Sequence, residues 1–117
     1  MSLRIQHILD LLKLEFEDLQ EDLRILEQVG YERFRRAEIT EYVYKENHAL
    51  FEEEIRGLKS IERLIEADQW EQFEDLDLFL AEFDQAVRQH IDTYQFPPAV
   101  HGIVSRKLKK VRDFLRD

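Results

Sequence analysis

The stretch KENHALFEEE, residues 45 to 54, places His48 and Glu52 one helical turn apart. Side chains four apart on a helix share a face, so an imidazole and a carboxylate at this spacing can grip one divalent ion. Three more histidines, His7, His90 and His101, fall on or beside apolar stripes. Helical bundles build metal sites from such inward positions, although a lone inward histidine is more often satisfied by a carboxylate or a carbonyl. The hydroxyl groups besides tyrosine are Ser2, Ser60, Ser105, Thr40 and Thr93, none beside a recognisable base in the sequence. The absence of cysteine excludes a thiol nucleophile, a disulfide and Cys-ligated metal. A Gly-rich phosphate loop, a nucleophile elbow and H-E-x-x-H are also missing. Acidic pairs are too abundant to mark a general acid and base. The chemistry therefore points away from an enzyme, with no cofactor expected.

The elements that would hold these groups are helices. Apolar residues make up 44% and charged residues 37% of 117 residues, with only three glycines and two prolines. That is a globular, breaker-poor composition suited to one domain over residues 1 to 117. Ile5, Leu12, Leu19 and Leu26 recur every seven residues, flanked by Leu9, Phe16 and Leu23. This predicts a first helix from about Leu3 to Val29, with Gly30 as its left-handed cap. Tyr44, His48, Phe51, Ile55, Leu58 and Ile65 predict a second helix over 37–67. Phe73, Leu76, Leu80, Phe83, Val87, His90 and Tyr94 predict a third over 69–94, capped by Asp68. A continuous helix through 60–75 is the alternative, because no Gly or Pro breaks the chain there. Pro97-Pro98 forces a turn, and His101, Val104, Leu108, Val111 and Leu115 line a last helix over 99–115. The expected fold is all-α, an antiparallel up-down-up-down four-helix bundle. The last helix is shorter than the first, so some apolar surface is expected to stay uncovered.

The segments IQHILDLLKLEFEDL and KENHALFEEE, with His7, His48 and Glu52, resemble the first half of a hemerythrin-like domain. That resemblance covers about residues 5 to 54 and implies a four-helix bundle with a carboxylate-bridged di-iron centre. The second half departs from the pattern. His90 is followed four residues on by Tyr94, and His101 has no acid at that spacing, which leaves the ligand set incomplete. In an up-down bundle, His7 and His101 would stand roughly 30 Å apart at 1.5 Å per residue. The four histidines therefore cannot share one ion. His90 with His101 is the better pair by height, and His48 with Glu52 the better pair by spacing. With metal aside, Leu50 and Phe51 are expected to point inward and Glu52, Glu53 and Glu54 to face water. The histidine phosphotransfer bundle is excluded, because the third and fourth residues after His48 are Phe51 and Glu52 rather than Lys-Gly.

One end of this bundle should gather Tyr31, Phe34, Tyr42, Tyr44, Tyr94 and Phe96 with Arg33, Arg35 and Arg36. Aromatic and guanidinium groups together favour a binding surface. Charge adds a second constraint. Net charge is −9. Residues 99–117 carry six Lys/Arg and two Asp, a net of +4, so residues 1–98 carry −13. Residues 68–95 hold eight acids and one arginine, a net of −7. Such a surface repels nucleic acid and anionic membranes. The basic last segment is expected to pack beside residues 68–95. No apolar run approaches the roughly 20 residues of a membrane span, and the N-terminal stretch lacks the pattern of a signal peptide. The expectation is a cytoplasmic, non-catalytic interaction or regulatory module that forms a homodimer and binds a protein partner. A metal- or small-ligand-binding bundle is the alternative.

Overall fold

The computed structural model describes residues 3 to 116. Four helices form: α1 (Leu3–Arg35), α2 (Glu41–Ile65), α3 (Leu76–Tyr94) and α4 (Ala99–Arg116). A short 3-10 turn, Asp68–Trp70, lies between α2 and α3. No strand occurs among the described residues, and the chain is an all-α four-helix bundle. Cross-contacts tie neighbouring helices side by side. Gln20 reaches Glu62, and Glu27 reaches His48, between α1 and α2. Ser60 meets His90 and Gly57 meets Phe96 beside α3. Asp84 meets His101 and Ser105 between α3 and α4.

The first helix does not stop at Gly30. It runs through Gly30 to Arg35 and ends where Ala37 takes a left-handed conformation, φ 62°. The Ala37 amide donates to the Phe34 carbonyl and the Glu38 amide to the Arg33 carbonyl, both at 2.9 Å. These are the two bonds of a Schellman cap, which satisfies the last carbonyls of a helix. Gly30 has open space around its Cα and costs the helix only propensity. Thr40 then caps α2 by accepting from the Val43 amide at 3.1 Å.

The long third helix expected from residue 69 is also shortened. Asp75, not Asp68, is its cap, accepting from the Leu78 amide at 2.8 Å. Helices α2 and α3 are therefore separate. Trp70 explains the break. Its side chain is buried and its indole Nε1 donates to the Leu64 carbonyl at the end of α2, which also accepts from the Ala67 amide. Its ring packs with those of Phe73, Phe79 and Phe83. A straight helix could not fold the indole back under its own predecessor. The inner row of α3 is accordingly Leu76, Phe79, Phe83, Val87 and Ile91, while Tyr94 is exposed. Gln95, at φ 58°, ends α3, and the Phe96 amide donates to the Ile91 carbonyl.

The molecule is long. Its extents are 53 × 31 × 18 Å and its radius of gyration is 16.4 Å, against about 13.4 Å for a compact chain of this length. Helix lengths cause this. A Cβ on Gly57 would lie 3.2 Å from Val100 and 3.3 Å from Phe96, so the α3–α4 turn packs partway along α2. From Glu41 to Gly57, about 24 Å of α2 at 1.5 Å per residue rises past that turn. The upper halves of α1 and α2 form an arm that α3 and α4 do not cover.

Replacing Ala37 with Gly should relieve the left-handed backbone. The Ala37→Gly chain is expected to gain about 0.5–1 kcal/mol of unfolding free energy in urea titration with an unchanged m-value. A loss of stability would show that Ala37 does not hold this conformation.

Candidate functional site

The hairpin cap decides what the arm brings together. With α1 continuing to Arg35, Glu27 comes level with His48 across the hairpin. The His48 Nδ1 lies 3.3 Å from a carboxylate oxygen, Oε2, of Glu27. Glu52, one turn further along α2, completes a cluster whose ligand atoms all lie within 4.8 Å of one another. The Glu27 side chain keeps only 16% of its exposure, and its other oxygen, Oε1, is enclosed without a hydrogen-bond partner. Burial, then the adjacent Glu52 carboxylate, raises the Glu27 pKa above the usual range, against the pull of His48 and Arg24. Gly30, Ile39, Tyr44 and Phe51 wall a small hollow of about 10 Å³ beside Glu27 and His48.

An aromatic stack caps this cluster. Phe34 and Tyr44 lie parallel with centroids 5.0 Å apart, Tyr31 meets Tyr44 edge-on, and Tyr44 stacks on the His48 ring at 5.9 Å. The arginines of the segment stay in solvent. Arg33 pairs with Glu38 and Arg35 with Glu32, and Arg36 is exposed. Tyr42 is exposed as well. Within KENHALFEEE, Phe51 is half-buried while Leu50 is exposed, and Glu54, not Leu50, turns inward. Burial pushes the Glu54 carboxyl above its ordinary value.

The remaining candidates sit elsewhere. Tyr94 and Phe96 belong to the α3–α4 turn, at the level of Gly57. That level is about 20 Å from Tyr44 at 1.5 Å per residue along α2. The expected aromatic–arginine end is thus split in two. Phe96 is a core residue with the Arg56 guanidinium over its ring, so it offers no binding surface. His90 and His101 do not meet. His90 faces α2, its Nε2 2.5 Å from the Ser60 Oγ and its ring against those of Tyr94 and Phe96, which also stack on each other. His101 faces α3, its Nε2 3.0 Å from the Asp84 Oδ1. His7 is exposed at the far end of α1.

Two serines do approach histidines, which the sequence alone did not reveal; Ser2 lies outside the described residues. Ser105 Oγ lies 3.1 Å from His101 Nε2 and donates to Asp84 Oδ1 at 3.2 Å. This triangle is not a proton relay. In a nucleophilic triad the acid holds one ring nitrogen and the serine the other. Here the acid and the serine crowd the same nitrogen. For His90, no carboxylate among the described residues orients its ring. Asp84 is instead a junction: burial alone would raise its carboxyl, but Arg88, His101 and Ser105 together hold it below the usual value. The broad groove beside it, about 930 Å³ and open to solvent, is lined by Arg88, Gln89, Asp92 and Pro97 among others. It contains no reactive pair.

The last helix packs beside α3, where His101 and Ser105 meet Asp84, while two of its lysines reach α1. Lys107 and Lys110 pair with Glu15 at 3.0 and 2.8 Å, and these bonds lower the Glu15 carboxyl. No helix among the described residues is long and apolar enough to cross a membrane. The chain matches no protein-family model, no curated protein and no solved structure.

Glu27 is the functional candidate that sequence reasoning missed. The signal was present: it interrupts the inner row Leu23, Glu27, Gly30, Phe34 at helical spacing. Ending the first helix at Gly30 hid it, because the reflected register across the turn was then wrong.

His90 supplies a pH-dependent stability. Burial, with Arg63 nearby, lowers its pKa from the ordinary value near 6.5. A lowered histidine contributes stability that is complete above about pH 6.5 and is lost as pH falls through the folded value. Wild type should lose unfolding free energy over this window, and His90→Gln should lose less. Glu27 and Glu54, being raised, act in the opposite sense in both chains, so the difference isolates His90. Urea midpoints measured across pH 5 to 8 check it.

Proposed function

We propose that the protein is a non-catalytic interaction module that docks through its arm, with a second copy of the same chain as the occupant. The observation that carries this is a groove that the fold leaves half filled. Lower down, Val100, Ile103 and Val104 of α4 pack between α1 and α2. Leu19, Leu23 and Leu26 line one cleft with Ile103. Val29 continues that row upward by helical spacing. On α2, Val43 and Leu50 lie fourteen and seven residues before Gly57, about four and two turns up the face that Val100 covers. Leu26, Val29, Val43 and Leu50 are 49%, 49%, 40% and 47% exposed. Scattered exposed apolar residues are ordinary, but a row that prolongs a filled groove is an unfinished interface.

Two arms related by a two-fold axis would present the same row to each other, the usual form of a homodimer contact. The elongated shape keeps the row accessible. Among the described residues no serine–histidine pair is completed by a carboxylate on the other ring nitrogen, which supports a binding role over catalysis.

Sedimentation of the untagged protein tests this. Wild type should form a concentration-dependent dimer. The Leu26→Glu/Leu50→Glu chain should dissociate at least about tenfold more readily, since a carboxylate set against apolar surface costs about 1–3 kcal/mol. Both positions are exposed, so its circular dichroism should match wild type. A wild-type chain that stays monomeric at all concentrations overturns the proposal.

A further inference from the structure

The arm carries a second feature that the docking face does not use. We propose that Glu27, His48 and Glu52 form a binding site for one first-row divalent transition metal ion, zinc in the first place. Three observations converge. The donors come from two helices that the Ala37 cap holds in register, so the site is set by the hairpin and not by one flexible loop. The ligand set is one imidazole and two carboxylates within 4.8 Å of one another. And Glu27 Oε1 is enclosed with no hydrogen-bond partner, an unmet acceptor that a folded protein rarely keeps.

The spacing suits an ion. Two ligands each about 2.0–2.2 Å from a zinc, at tetrahedral to octahedral angles, stand about 3.0–3.5 Å apart. His48 Nδ1 and Glu27 Oε2 stand 3.3 Å apart. Glu52 is exposed, and its carboxylate lies within 4.8 Å of the other two donors. The electrostatics also favour a cation. Two carboxylates within 4.8 Å of one another repel. A dication neutralises both.

The donor set selects the metal. Imidazole suits zinc and its first-row neighbours, whereas magnesium and calcium take oxygen ligands alone. Phe51, Ile39 and the Tyr44 ring close one side, and the hollow beside Glu27 has room for about one water or ion. Three protein ligands leave a position open to solvent or to a donor from a partner. Glu27 is half-buried while His48 and Glu52 are exposed, and neither Leu26 nor Leu50 is among the donors.

The test is calorimetric titration of untagged, chelator-free protein with zinc chloride, paired with thermal unfolding. Wild type should take up one zinc per chain and unfold at higher temperature with zinc, because an ion bound only to the folded form stabilises it. Magnesium chloride should do neither. Glu27→Gln and His48→Asn should each weaken zinc binding by more than about tenfold, since even outer-shell partners are worth about 10- to 100-fold. His7→Asn, a change at an exposed histidine remote from the site, should leave it unchanged. The Leu26→Glu/Leu50→Glu chain should bind zinc as wild type does, which separates this site from the docking face. No saturable uptake, or uptake that His7→Asn weakens and Glu27→Gln does not, overturns the proposal.

Discussion

The α3–α4 hairpin is shorter than the α1–α2 hairpin on which it packs, and most features of the protein follow from that mismatch. Helices α1 and α2 have 33 and 25 residues, while α3 and α4 have 19 and 18. A bundle can bury a four-sided core only where all four helices are present. That zone runs from Ile5 to Leu23 on α1 and from Ile55 to Ile65 on α2, where the buried residues concentrate. Above it, two helices can bury only the strip between them. Everything else on the arm faces water, including apolar side chains that would be interior in a bundle of equal lengths. Gly57 marks the boundary: a Cβ there would lie 3.2 Å from Val100 and 3.3 Å from Phe96, so the α3–α4 turn settles closely against α2.

The same boundary sorts the polar groups. Below it, charges serve to join helices. Glu15 accepts from two lysines of α4, and Asp84 gathers Arg88, His101 and Ser105 at one carboxylate. Groups of this kind are satisfied and have little chemistry left to offer. Above it, Glu27 and His48 face each other between two helices, where water is partly excluded but no third helix supplies partners. A carboxylate oxygen is left unpaired there. The unsatisfied groups of this protein and its uncovered apolar row thus share one cause, the missing upper halves of α3 and α4.

Helix identity was legible in the residues because it depends on local spacing. The inner face of α4, from Val104 through Leu108 to Val111, and the core positions Leu12, Phe16 and Leu58 follow from 3.6-residue periodicity. Ends were less legible. Gly30 carries the usual mark of a cap, yet the helix continued because five further residues could extend it at small cost and Ala37 accepted the left-handed position. Asp68 and Glu71 resemble a capping box, yet the indole of Trp70 gained more by entering the core than by extending α3. In the second case a longer-range contact outweighed a local preference worth about 1 kcal/mol.

What the sequence determined by itself is the class of structure: helices with one apolar face, a turn at Pro97-Pro98, no thiol chemistry and an uneven charge. These are properties of neighbouring residues and need no knowledge of what lies across the core. Pairing was decided only by the tertiary structure. His48 and Glu52 were visible as a ligand pair, but their third member, Glu27, is 21 positions earlier than His48 and meets it only because the hairpin closes at Ala37. His90 and His101, close in sequence and near the same turn, were turned to opposite neighbours by the rotation of their helices. Such meetings depend on where a helix ends and how far it is rotated. A shift of one residue turns a face by about 100°, which is why they could not be read along the chain.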